Sequence, residues 1–146
     1  MSSDDEVARA VRDLVLAGDR YRGEVGRSAG LGPSAVTTLA LLYLEGPATP
    51  GRIARHLGIT TASATQLLDR LEAAEHVRRR PNPADRRSCL VELRPAGHRY
   101  VAATYGDFRE RIHRVVAGLP GEDVAAVAGF LRAASNILAG PGVVAG

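Results

Sequence analysis

Between His76 and Arg99 the chain carries seven arginines against two acids, Asp85 and Glu92. Such a cluster is the footprint of a polyanion partner, because guanidinium groups gain most where phosphates are dense. Charge alone leaves a solvated hairpin equally open. Just upstream, a helix over residues 60–75 turns Leu67, Leu68 and Leu71 inward and leaves Thr61, Ala62, Thr65, Gln66 and Asp69 on its opposite face. Glutamine can pair bidentately with adenine, and short hydroxyls can serve several base edges. Thr61, Ser63, Thr65 and Gln66 are therefore the candidate DNA readers, with Arg70 suited to a phosphate or a structural contact. Each of them, taken singly, is also an ordinary solvated position. Arg78-Arg79-Arg80, the turn Pro81-Asn82-Pro83-Ala84-Asp85 and then Arg86-Arg87 make a basic β-ribbon after that helix. Such a ribbon can track a backbone and insert an arginine into a minor groove, where negative potential is focused. Asp85 would repel phosphate there, so it is read as a structural partner of Arg87.

These residues need a scaffold, and residues 50–69 carry the marks of a helix-turn-helix. Thr49 can cap a helix that opens on Pro50, whose missing N–H is no loss at that position. Ala54 is small where two helices approach, and Gly58 supplies the positive φ of a tight turn. Ile53, Leu57, Ile59, Ala64 and Leu67 fill the wedge between the helices, and Thr60 can cap the second. An ordinary helical hairpin needs neither the small residue nor the glycine at these offsets. Around this centre, Val7, Val11, Leu14, Tyr21 and Val25 stripe a first helix that Gly26, Gly30, Gly32 and Pro33 break. Pro33 to about Leu44 forms a second helix. Val77 to Pro81 and Ser88 to Leu93 read as a two-stranded hairpin in which Cys89, Val91 and Leu93 alternate with polar or outward positions. Pro95 restarts helix with Val101, Thr104, Phe108, Ile112, Val115 and Leu119 on one side. A last helix carries Val124, Val127, Leu131, Ala134 and Leu138 until Gly140-Pro141.

The chain has 146 residues, 45% hydrophobic, 24% charged and 4% aromatic, which suits one domain with a real core. Net charge runs −2 over residues 1–49, +5 over 50–99 and zero over 100–146, and all 19 basic residues are arginine. No apolar run reaches a membrane span, and the acidic start is unlike a secretion signal, so the expected address is cytoplasmic with no membrane partner. One cysteine excludes an intramolecular disulfide and a multi-cysteine zinc site. Cys89 reads as a buried small hydrophobe. His56, His76, His98 and His113 lack metal-ligand spacing. Neither a phosphate loop nor a paired-carboxylate or Ser/His/Asp pattern stands out, so no enzyme, cofactor or metal is expected.

Gly58-Ile59-Thr60, Asp69-Arg70-Leu71-Glu72 and Asp85-Arg86-Arg87, followed by Val91, Leu93 and Gly97, resemble the MarR family of winged-helix regulators. The likeness spans about residues 7 to 139. It implies a mainly α fold with a small β-wing in a single domain. The winged helix-turn-helix would cover about residues 33–97, with dimerisation helices over about 5–28 and 98–139. It also implies a homodimer, probing the major groove with the recognition helix and the minor groove with Arg87, beside Arg86, on an inverted-repeat operator. The implied function is a repressor relieved by a small aromatic or phenolic effector, with His98 and His113 near the ligand cleft. A dimeric ligand-binding or protein-interaction module with little DNA affinity is the alternative. Three positions depart from the family pattern: Glu75-His76 replaces Gly-Leu, Arg94 replaces a capping threonine, and Gln66 stands where many members carry arginine. The family's reactive cysteine of peroxide sensors, in the first helix, has no counterpart here.

Overall fold

A computed structural model describes residues 2–140. Helix α1 (Ser3–Arg27) is followed by α2 (Pro33–Glu45), α3 (Pro50–Leu57), α4 (Thr61–Ala73), strands β1 (Val77–Pro81) and β2 (Cys89–Leu93), then α5 (Pro95–Val116) and α6 (Gly121–Ala139). The fold is mainly α with one antiparallel hairpin, as the spacing implies. Pro141, expected just past the last helix, lies outside the described residues.

Local chemistry sets most boundaries. The Arg52 N–H donates to Thr49 Oγ1 at 3.2 Å and the Ser63 N–H to Thr60 Oγ1 at 3.1 Å, so both threonines cap the helices that follow them. Gly58 closes α3 at φ 66°, the left-handed conformation that the turn requires. A cap not foreseen opens α1, where Ser2 and Asp5 bond reciprocally in a capping box.

The hairpin pairs Val77 with Leu93, Arg79 with Val91 and Pro81 with Cys89. Ala48, in the α2–α3 connector, adds a backbone bridge to β2: its N–H donates to Val91 O at 3.1 Å and its carbonyl accepts from Val91 N–H at 2.8 Å. The core lies among α2, α3, α4 and the hairpin, built from Leu39, Leu42, Ile53, Leu68, Leu71, Val77 and Val91, with Val101 reaching in from α5. Thr38 is buried with them, its hydroxyl bonded to Ser34 O at 2.8 Å.

The first helix ends at Arg27, inside the Gly26 to Pro33 stretch expected to break it. Gly26 itself is a close-approach residue: a Cβ there would sit 2.2 Å from Leu31 O, and the Leu31 N–H bonds back to Gly26 O at 2.8 Å. Two expectations differ from the structure. The fourth helix stops at Ala73 rather than near Glu75, and Glu75 takes φ 62°. Cys89, in the last pair of the hairpin opposite Pro81, is only half-buried.

The outer helices look unfinished. α6 has no buried residue and α1 only Gly26, while Leu14 is 54% and Ile137 80% exposed.

Candidate nucleic-acid interface

The structure places Thr61, Ser63, Thr65, Gln66 and Arg70 on the exposed side of α4, with Ala64, Leu67, Leu68 and Leu71 against the core. Their hydroxyls are not equally free. Ser63 is engaged in the cap, its Oγ 3.0 Å from Thr60 Oγ1. The Thr65 hydroxyl donates to Thr61 O at 3.0 Å, leaving its oxygen able to accept. No intramolecular side-chain hydrogen bond engages Thr61 or Gln66 among the described residues. Two groups on this face are therefore available for unrestricted reading, and the glutamine has the longer reach.

The hairpin divides the arginines into two classes. Arg78 Nε meets Glu92 Oε1 at 2.5 Å and Arg80 Nε meets Glu92 Oε2 at 2.8 Å, so one carboxylate serves both outer arginines. Those two guanidinium groups, Arg80 first, hold the Glu92 carboxyl below the usual carboxylate range. Arg79 is bound to Asp69 and Glu72 of α4. The run that looked like a phosphate-tracking strip is thus committed internally. Arg86 and Arg87, by contrast, are exposed and have no carboxylate partner among the described residues. The basic character of the ribbon is concentrated at its tip.

Asp85 does pair with Arg87, through the backbone. Its Oδ1 accepts the Arg87 N–H at 2.9 Å and its carbonyl accepts the Ser88 N–H at 3.1 Å. Asn82 Oδ1 accepts the Ala84 N–H at 3.0 Å in the same turn. The carboxylate therefore shapes the loop that projects Arg87 and does not neutralise its guanidinium. Sequence reading missed the roles of Glu92, Glu72 and Asp69. The available signal was register: Arg78 stands opposite Glu92 in a hairpin centred on Asp85, two residues past the middle of the Pro81–Asp85 turn.

The departures leave local marks. The Glu75 N–H bonds Glu72 O and the His76 N–H bonds Leu71 O, both at 3.0 Å, which is a Schellman closure with glutamate at its left-handed position. The buried His76 Nδ1 has no hydrogen-bond partner. Arg94 precedes α5 without a side-chain cap bond.

Away from the ribbon, a cavity of about 240 Å³ lies between α1, α2 and α5, lined by Tyr21, Val25, Val36, Tyr100, Tyr105 and Phe108 among others. The chain has six aromatic residues, and four of them line this space. Tyr100 donates to Val25 O at 3.0 Å and Tyr21 to Thr104 O at 3.4 Å. Burial raises the pKa of both phenols. Tyr105 and Phe108 also wall a second space of about 200 Å³ that includes His113. His98 lies instead against Tyr43, ring centres 5.1 Å apart. None of the described helices is long and apolar enough to cross a membrane.

Residues 29–88 match the family model described as the MarR family. An uncharacterised HTH-type transcriptional regulator of Bacillus subtilis (strain 168), YcgE, is 27% identical over 81% of this chain and 77% of its own. The crystal structure of RV1404 from Mycobacterium tuberculosis superposes with a TM-score of 0.69 at 26% identity, covering 93% of this chain and 97% of that one. Streptococcus pneumoniae FabT, in a crystal structure with DNA, shares the fold at a TM-score of 0.73 and 18% identity, over 92% and 94% of the two chains.

Proposed function

We propose that the chain, whose residues 29–88 match the MarR family model, binds duplex DNA as a homodimeric repressor relieved by a small ligand. The observation that carries the reading is the pairing of an open α4 face with a wing whose unpaired arginines sit at the tip. Thr61 and Gln66 are aimed to read bases in a major groove, with Ser63 and Thr65 as cap-bound neighbours and Arg70 as a phosphate contact. Arg87, with Arg86, enters the adjacent minor groove.

Dimerisation is supported by the apolar groups that α1, α5 and α6 leave uncovered, among them Val7, Leu14, Val115, Phe130, Ile137 and Leu138. A winged domain whose core ends at Val101 has no means of covering them. A second copy presents the same stripes and closes both sets by two-fold symmetry. Two recognition helices then fall in successive major grooves, which requires half-sites about 10 bp apart on an inverted repeat.

The α1–α2–α5 cavity supports the effector reading. It is smaller than the roughly 300 Å³ at which drug-sized pockets begin, and so fits a single-ring compound. The Tyr21 and Tyr100 hydroxyls already donate to carbonyls, so they offer oxygen lone pairs to a phenolic proton. The deciding experiment is a mobility shift on the promoter region beside the protein's own coding sequence, titrated with salt. A site that is shifted steeply at low salt, and is released by simple phenols, carries the proposal. Absence of binding at low salt would leave the dimeric ligand-binding module in its place.

A further inference from the structure

Arg79 differs from its neighbours in where it spends its hydrogen bonds. Arg78 and Arg80 pair within the hairpin and stiffen it. Arg79 leaves the hairpin altogether: Nη1 lies 2.9 Å from Glu72 Oε1 and Nη2 2.8 Å from Asp69 Oδ1, while its backbone N–H donates to Glu72 Oε2 at 2.9 Å. Three contacts from one residue to two carboxylates a turn apart fix both a distance and an orientation, as a planar fork does and a point charge does not. Its side chain is 24% exposed, against 62% for Arg78, while those of Asp69 and Glu72 stay 63% and 42% exposed.

The carboxylates matter as much as the arginine. Asp69 is on the exposed face of α4, three residues beyond Gln66, and an unpaired carboxylate there would repel phosphates. The strand partner β2 is held separately, by the Ala48 bridge to the α2–α3 connector. The wing therefore has a backbone anchor on one strand and an ionic one on the other.

We propose that Arg79 is a positioning residue: it sets the angle of the wing to α4 and masks Asp69, so that helix and wing tip engage one duplex together. This rests on the docking described above, and it assigns Arg79 no contact with DNA. The test combines amide hydrogen exchange on the free protein with DNA binding by Arg79→Ala, Arg87→Ala and the double variant. Exchange over residues 78–81 and 89–93 should rise by about tenfold in Arg79→Ala while α2 stays protected, as local release of one anchor requires. Arg87→Ala should cost about tenfold in affinity in the native background and less than about twofold once Arg79 is gone. Adding Asp69→Asn to Arg79→Ala should recover part of the lost affinity. Should Arg79→Ala fail to fold, Arg79→Lys keeps the charge without the fork and is read by the same two measurements. Unchanged wing exchange overturns the proposal, and so does an Arg87 effect that is equal in both backgrounds. A wild-type protein without DNA affinity refutes the docking instead, and the exchange result still decides whether Arg79 holds the wing.

Discussion

Glu75→Gly should make this protein more stable, although it deletes a side chain. Glu75 has φ 62° and is the non-glycine residue with positive φ among the described residues. Holding an L-residue with a Cβ in that region costs roughly 1–2 kcal/mol. Glycine escapes that strain but gives back roughly 0.5–1 kcal/mol through the greater freedom of its unfolded chain. The carboxylate is exposed and makes no hydrogen bond or ion pair among the described residues, so its removal forfeits little. The Schellman bonds to Glu72 O and Leu71 O are backbone bonds and persist. The balance is a gain of about 0.5–1 kcal/mol. It should appear in urea titration at fixed protein concentration as a higher midpoint with an unchanged slope, since compactness is unaffected. Glu75→Ala is the control, because it removes the charge and keeps the Cβ. Equal gains from glycine and alanine would locate the effect in the charge, and a glycine variant less stable than the native protein would refute the strain argument outright.

Gly26→Ala should act in the opposite sense. Its Cβ would fall 2.2 Å from Leu31 O, and overpacking of this kind costs about 1–3 kcal/mol, read from the same urea midpoints. Thr60→Ala should lose a cap worth about 1 kcal/mol and loosen the first turn of α4, measurable as faster exchange of the Ser63 amide. Acid should weaken the wing through Glu92. Its folded pKa lies below its unfolded value, so its stabilisation is complete above the unfolded carboxyl pKa, about 4.3, and fades as pH falls through the folded value. Wing protection measured against pH should show that loss, and Glu92→Gln should flatten it. Gln66→Ala should relax preference at particular base pairs by about 1–3 kcal/mol, whereas Arg87→Ala should weaken all sequences and lower the salt slope by about one counterion per wing. Binding-site selection with each variant separates the two roles.

The parts of this fold that were legible in sequence are those fixed by neighbours in the chain. Thr49, Thr60 and Gly58 act within four residues of themselves, and each sits at the helix end its type announces. The hairpin was legible for the same reason, through its Pro-Asn-Pro-Ala-Asp turn and alternating strand. What escaped depended on register and on contacts between elements. A count of seven arginines cannot tell that Glu92 bridges two of them, or that Asp69 and Glu72 reach across from α4 to a third. The close approach at Gly26 escaped because glycine in a helix has two uses, and only the Leu31 loop folded against it reveals this one. The Glu75-His76 departure was visible as a pair of letters. Its physical content, a strained backbone beside an orphaned imidazole nitrogen, appears only when the chain is closed around it.

One residue, Arg94, separates the end of β2 from the start of α5. With 22 residues, α5 is a rod about 33 Å long, and the wing is fastened to its first turn. In the proposed dimer the partner holds the far end of that rod, which makes the grip a fulcrum. A tilt of about 5° there carries the wing through about 3 Å, close to the rise of one base pair, roughly 3.4 Å. Tyr100, Thr104 and Phe108, which line the cavity, lie along the arm between fulcrum and wing. A ligand there works at a mechanical disadvantage in force and an advantage in travel, so a displacement of about 1–2 Å can move an arginine by one step along a groove.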